Sequence, residues 1–255
     1  MTQPTSTTPL TVVLVHGAFA DASSWTGVIE RLQAAGITVI APANPLRGIA
    51  IDSAYTASLF TQIPGPVLAV GHSYGGAVIT NAATTATNVV GLVYVAAFAP
   101  AEGETLGAVE NNSKDSVLNS ALVTFKYPTG KDGETKVEFA IATDRVQDAF
   151  AADLSAKQAA LIAATQRPIS ELAFSEPTGK PAWKTLPSWA VVATGDKAAG
   201  TDVVRSEAQR AGATITELEG SHVIMISQPQ AVTDVILTAI AAVGAGSPAT
   251  AGATR

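Results

Sequence analysis

The stretch VLAVGHSYGGAVI, residues 67–79, sets Ser73 between Gly71 and Gly75 where an apolar run meets a helix-like pattern. A serine hydroxyl is a weak nucleophile unless a base takes its proton, and histidine is the side chain whose ordinary pKa lies nearest neutrality. The chain has three histidines. His16 closes the first apolar run, where a histidine holds a loop by hydrogen bonding. His72 adjoins Ser73, but a neighbour on so sharp a turn points away from the hydroxyl. His222, in EGSHVIMISQPQAV, is therefore the expected base. A carboxylate between the two in chain order would hold the imidazole in the right tautomer. Asp196 in ATGDKAAG is best placed for this; Asp202, which also fits the N-cap of a following helix, and Glu102 after YVAAFAP rank behind it.

Acyl transfer at such a serine also needs N–H donors aimed at the developing oxyanion. The backbone N–H of Tyr74 follows the serine at a helix N-terminus, where the helix dipole adds positive potential. Ala18, after His16 and Gly17 in HGAFADASSW, is the expected second donor. Gly71-His72-Ser73-Tyr74-Gly75 fits G-x-S-x-G, in which the serine occupies a strained strand-to-helix turn and the glycines let strand and helix pack closely.

These residues need a scaffold that brings strand ends together. Apolar β-branched runs at 11–17, 37–42, 65–71, 89–100, 188–195 and 214–220 read as strands. Helical spacing at 21–36, 52–61 (with Asp52 as N-cap), 72–86, 202–211 and 229–243 alternates with them. Continuous Val/Ile/Leu/Ala strands suit a sheet buried on both faces, so the fold class is α/β with a mostly parallel central sheet flanked by helices. Open sheets of this kind present ligands at the carboxyl ends of their strands, just where Ser73, Asp196 and His222 fall. The expected core is 10–100 with 187–244, between a leader at 1–9 and a tail at 245–255. Residues 101–186 break the rhythm and read as an inserted cap, with a hairpin turning between Gly130 and Gly133 and helices at 145–152 and 155–165. Phe19, Phe125, Tyr127 and Trp183 are the expected pocket walls, with Phe139, Phe150 and Phe174 as further aromatics of the cap and Trp25 read as pocket or core.

Composition narrows the chemistry further. The net charge of −6 comes without a basic cluster, which argues against a nucleic-acid partner. Although 47% of the 255 residues are hydrophobic, no apolar stretch reaches the roughly 20 residues of a membrane helix. With no cysteine there is neither a thiolate nucleophile nor a Cys-based metal site, and no metal is expected. MTQPTSTTPL lacks the basic and apolar regions of a secretory signal, so a cytoplasmic location is the expectation. Oligomeric state leaves no trace in the pattern.

On VLVHGAFADASSW, VGHSYGGAVI, VYVAAFAPAEGETL, VVATGDKAAG and EGSHVIMISQPQAV, the chain resembles the α/β-hydrolase superfamily over nearly its whole length. It is most similar to the small-esterase branch that includes plant methylesterases and hydroxynitrile lyases. The resemblance implies an α/β-hydrolase fold, a Ser73, Asp196, His222 triad, an acyl-enzyme intermediate, an oxyanion hole from Ala18 and Tyr74, and no cofactor. Lyases of that branch carry Thr and Lys where this chain has Gly17 and Val223, which favours an esterase. Relatives that use an Asp nucleophile are disfavoured by Ser73, and KAAG after Asp196 lacks a proline common among relatives. The expected activity is hydrolysis of a small, largely apolar carboxylic ester or lactone. A hydrolase-fold ligand receptor with little turnover, and perhydrolase or lyase chemistry on the same triad, are the alternatives.

Overall fold

The computed structural model describes residues 8–245, so most of the expected leader and tail lies outside the described residues. From β1 (Thr11–Val15) a 3₁₀ turn (Ala22–Trp25) leads into α1 (Thr26–Ala34), and β2 (Thr38–Ile40), α2 (Ile49–Gln62), β3 (Val67–His72), α3 (Tyr74–Ala82) and β4 (Val89–Val95) continue the alternation. Next come α4 (Leu106–Asn111), α5 (Leu118–Ala121), β5 (Leu122–Pro128), β6 (Thr135–Ile141), α6 (Val146–Ala149), α7 (Ala156–Thr165), β7 (Ile169–Ser170) and α8 (Leu172–Ser175). The chain then returns through β8 (Ser188–Ala193), α9 (Thr201–Arg210), β9 (Thr214–Leu218), α10 (Ile224–Ser227) and α11 (Pro229–Ala245).

Six strands form one parallel sheet in the order β2-β1-β3-β4-β8-β9. Every residue of β1, β3 and β8 is buried, as a sheet covered by helices on both sides requires. Helix α11 packs on α1, β4 and β8, while α3 packs on α2 and β3. Strand order reverses between β1 and β3, where Val15 pairs with Gly71. That reversal opens the crevice in which open α/β sheets hold ligands, and both His16-Gly17-Ala18 and Ser73 emerge into it.

Several element boundaries differ from the sequence expectation. Strand β3 runs on through His72, so α3 begins at Tyr74 rather than at 72. Strand β4 stops at Val95 because Ala96 turns the chain with φ 45°. Helix α2 starts at Ile49, and Asp52 lies inside its first turn, accepting from the N–H of Arg47 (3.0 Å) and of Gly48 (3.4 Å). The helix expected at 145–152 is the single turn α6, and α4, α5, β7 and α8 carried no signal long enough to read. The hairpin does turn at Gly130 and Gly133, both with positive φ, and with β7 it makes a separate sheet ordered β5-β6-β7.

Gly71 has no room for a side chain. A Cβ there would lie 2.5 Å from Gly75 O and 2.6 Å from Gly76 N, both backbone atoms of the helix that the serine turn feeds. Gly71→Ala is expected to destabilise the protein by about 1–3 kcal/mol or more, as overpacking does when rigid atoms must move. Thermal melts check this, and an unchanged midpoint would contradict the close approach.

The segment after α4 is tied to the loop after β8. Ser116 Oγ donates to Ala198 O (2.6 Å), Val117 N–H to Lys197 O (2.8 Å), and Ser113 Oγ and Lys114 N–H to the Asp202 carboxylate (2.6 and 2.8 Å). Buried Glu110 sits 3.4 Å from Ser116 Oγ, whose one proton already serves Ala198 O. The Glu110 contact is the long arm of a hydrogen bond that Ser116 Oγ gives mainly to Ala198 O. Burial, opposed by Ser116 and by His222 and reinforced by the Asp196 charge, pushes the Glu110 pKa up to about 7. A carboxyl raised in the folded state contributes stability that is present below its ordinary value near 4.5 and is lost as pH rises through about 7. The loss is at most about 3 kcal/mol. Denaturant melts at pH 5 and pH 7.5 should show a smaller drop for Glu110→Gln than for wild type; parallel drops would refute the assignment.

Candidate active site

His222, four residues past the end of β9, and Asp196, three past β8, meet above adjacent strands. His222 Nδ1 lies 2.8 Å from Asp196 Oδ2, with both side chains almost fully buried. A carboxylate accepts, so Nδ1 carries the proton and Nε2 is the ring's free acceptor. Asp196 Oδ1 accepts from the N–H of Ala198 (2.9 Å) and of Ala199 (3.0 Å), so each carboxylate oxygen has its own donors. The KAAG loop after Asp196 supplies those two amides. Asp202 holds the segment 113–114 instead, and Glu102 lies exposed in a turn.

Ser73 sits between β3 and α3 with φ 54° and ψ −125°, a conformation that costs a non-glycine residue about 1–3 kcal/mol. Its own C=O accepts from Gly76 and Phe98, and its N–H donates to Val95 O (3.3 Å), which fixes the turn. Ser73 and His222 line one cavity with Ala18, Tyr74 and Phe19. Neither the Ala18 nor the Tyr74 N–H has a partner among the described residues, whereas the Phe19 N–H donates to Arg167 O (3.2 Å). Two free amides thus border the same space as the serine. Gly17 makes the approach of the two loops possible: a Cβ there would lie 2.6 Å from Ser73 Cβ.

The other histidines act as braces. His16 Nε2 accepts from Asn44 N–H (2.9 Å), so Nδ1 holds the proton and donates to Gly17 O (2.9 Å). His72 Nε2 donates to His222 C=O (3.0 Å), tying the serine turn to the loop after β9. Burial, followed by the nearby His222, holds His72 well below the usual histidine pKa and hence neutral. Trp25 is buried and stands edge-on to His72, with centroids 6.3 Å apart.

An additional brace had no separate signal in the sequence. The Tyr74 hydroxyl donates to Asp52 Oδ2 at 2.7 Å, both groups being buried. Burial raises the Asp52 pKa, against the lowering effect of the hydrogen bonds from Tyr74, Arg47 and Gly48. The residue that fits a helix cap by type is therefore also the anchor of the residue after Ser73. The two positions are 22 apart in the chain and are brought together by the packing of α2 on α3.

Among the expected pocket walls, Phe19 lines the cavity and three others do not. Phe125 is 51% exposed on an edge strand of the outlying hairpin. Tyr127 donates to Ser170 Oγ (3.1 Å) and stacks under the Arg47 guanidinium at 4.4 Å, on a different cavity. Trp183 donates its indole N–H to Pro100 O (3.2 Å) on a 3₁₀ turn. No residue of the β5–β6 hairpin lines this cavity, whose walls include Phe98, Leu106, Leu118, Phe150 and Phe174. Phe139 packs edge-to-face behind Phe174, with centroids 6.1 Å apart.

Among the described residues no group of three or more His, Asp or Glu side chains is arranged to hold a metal ion, and no helix is long and apolar enough to cross a membrane. A mostly parallel sheet with a serine on a strained strand-to-helix turn and a histidine-carboxylate pair on later loops defines an α/β-hydrolase architecture. A family model described as the alpha/beta hydrolase family matches residues 12–235, and the chain belongs to that family. Its fold is similar to that of polyneuridine aldehyde esterase (TM-score 0.76, 21% identity, covering 91% of this chain and 99% of that one). It is also similar to a methylesterase from Arabidopsis (0.74, 19%, 91% and 99%) and to a pyrethroid hydrolase from Sphingobium faniae (0.72, 20%, 92% and 98%). A comparison with curated proteins finds no match.

Proposed function

We propose that the protein is a cofactor-independent serine hydrolase of a small, largely apolar carboxylic ester or lactone. The observation that carries the reading is the buried His222–Asp196 hydrogen bond at 2.8 Å beside the cavity that Ser73 lines. Ser73 Oγ attacks the carbonyl carbon while His222 Nε2 takes its proton, and Asp196 stabilises the imidazolium. The carbonyl oxygen gains charge and is held by the N–H groups of Ala18 and Tyr74. His222 returns the proton to the leaving alkoxide, which departs as the alcohol. Water activated by the same histidine then attacks the acyl-Ser73 ester, releasing the acid and restoring the hydroxyl.

Hydrolysis is favoured over lyase chemistry by Gly17 and by Val223, fully buried beside His222, because neither offers a polar side chain to a carbonyl or cyanide group. The relatives in fold that are named for esters or hydrolysis agree with this choice. Intact-mass measurement after treatment with a fluorophosphonate is the test. One adduct on wild type and none on Ser73→Ala is expected; no adduct, or an adduct that persists in the variant, would overturn the serine-hydrolase reading.

A further inference from the structure

The cavity beside Ser73 measures only about 10 Å³, room for roughly one water. A second cavity of about 290 Å³ lies next to it, and Phe19 and Phe150 line both. Those two rings meet edge-to-face with centroids 6.2 Å apart, and Phe19 is held with φ 58°, a backbone conformation that side-chain-bearing residues rarely adopt. They form a partition. The larger space is bounded on one side by residues 20–24 and on the other by Leu161 and Ile162 of α7, with Val223 and Ile226 at its inner end.

We infer that this second cavity is the alcohol-side subsite, which receives an apolar leaving group of on the order of ten heavy atoms once the Phe19–Phe150 pair parts, while the acyl group stays short. This rests on the ester-hydrolase reading above. In acyl transfer the imidazole must reach the leaving oxygen to protonate it, so the alcohol has to extend from the His222 side of the tetrahedral carbon. The larger cavity lies on that side: Val223 follows His222 in the chain, and the Phe150 ring stands 5.1 Å from the His222 ring. Leu106, Leu118 and Phe174, which line the small space at Ser73 but not the larger cavity, leave the acyl portion little length. The lining is mostly apolar, which favours an alkyl or aryl alcohol; of its polar members, Asp21 accepts from Ser23 N–H, Ser24 Oγ donates to Asp21 O and Thr165 Oγ1 donates to Leu161 O.

Two ester series separate the sides: acetates of methanol through octanol, and methyl esters of acetic through octanoic acid. Each buried methylene is worth at most about fourfold. The wild-type kcat/KM is expected to rise at least tenfold from methyl to hexyl acetate and to stay flat or fall along the acyl series. Ile162→Trp, which fills the cavity, should erase the rise along the alcohol series. Thr165→Trp, from an exposed position at the same cavity, should do likewise and stands in if Ile162→Trp fails to fold. A rise that follows acyl length, or an alcohol series untouched by both tryptophans, overturns the inference. If methyl acetate turns over in a Ser73-dependent way without any alcohol dependence, only the subsite assignment falls. No turnover together with no fluorophosphonate adduct overturns both readings.

Discussion

Ser73→Ala is expected to lower kcat on a short acetate ester by about a million-fold, to a residue attributable to binding and oxyanion donors alone. The loss is that large because the reaction as proposed has a covalent step at one atom, and no second hydroxyl can replace it. Thr80 Oγ1, for instance, is buried and engaged with Gly76 O and the Tyr94 hydroxyl. The fold should survive, because the turn is held by backbone bonds from Gly76 and Phe98 to Ser73 O and from Ser73 N–H to Val95 O, all of which alanine keeps. A midpoint of thermal unfolding within a few degrees of wild type, alongside the kinetic loss, is the expected pair of results. Retained turnover at more than a hundredth of the wild-type rate would show that the hydroxyl is not the nucleophile.

Asp196→Asn should cost about 10⁴-fold in kcat, and the reason lies in which oxygen holds which donor. Oδ1 accepts two backbone N–H groups, from Ala198 and Ala199, so an amide at this position keeps its oxygen there. Its NH₂ is then forced to face His222 Nδ1 in place of Oδ2. Nδ1 must accept, the ring proton moves to Nε2, and the nitrogen needed as base becomes a donor. The change is isosteric and leaves the loop bonded, so the loss should fall on kcat while fluorophosphonate labelling slows without disappearing. Asp202→Asn, which disturbs the bonds from Ser113 Oγ, Lys114 N–H and Val203 N–H, should leave kcat within a fewfold of wild type. Equal losses in the two variants would move the acid's role away from Asp196.

Elements built on long, strongly patterned runs were readable from residue types. The near-continuous apolar runs at β1, β3 and β8 require a sheet covered on both sides, and the hairpin turn at Gly130 and Gly133 has the glycines its backbone needs. Short elements were not, because single turns such as α5 and α8 contain too few residues to display a period. Strand ends were misjudged where one residue carries the break: Ala96 bends β4 through a positive φ that nothing about alanine announces.

Chemistry-bearing side chains are few in this chain, so their order and their positions after strands were enough to single out Ser73, His222 and Asp196 from the sequence. Partners chosen by shape were beyond it. Phe125, Tyr127 and Trp183 are aromatic in the same way as Phe150 and Phe174, and only the tertiary placement of their segments, the hairpin strand β5 for the first two and a 3₁₀ turn for Trp183, separates them. Tyr74 meets Asp52 and Glu110 meets Ser116 because burial leaves a polar group no alternative to its nearest neighbour in space. Sequence alone therefore determined the sheet, the serine turn and the ordered set of residues for which acyl transfer is proposed, since these follow from local pattern and residue type. The tertiary structure decided the walls, the braces and the partition between a cramped cavity at Ser73 and the larger one beside it, because packing between distant segments has no counterpart in local spacing.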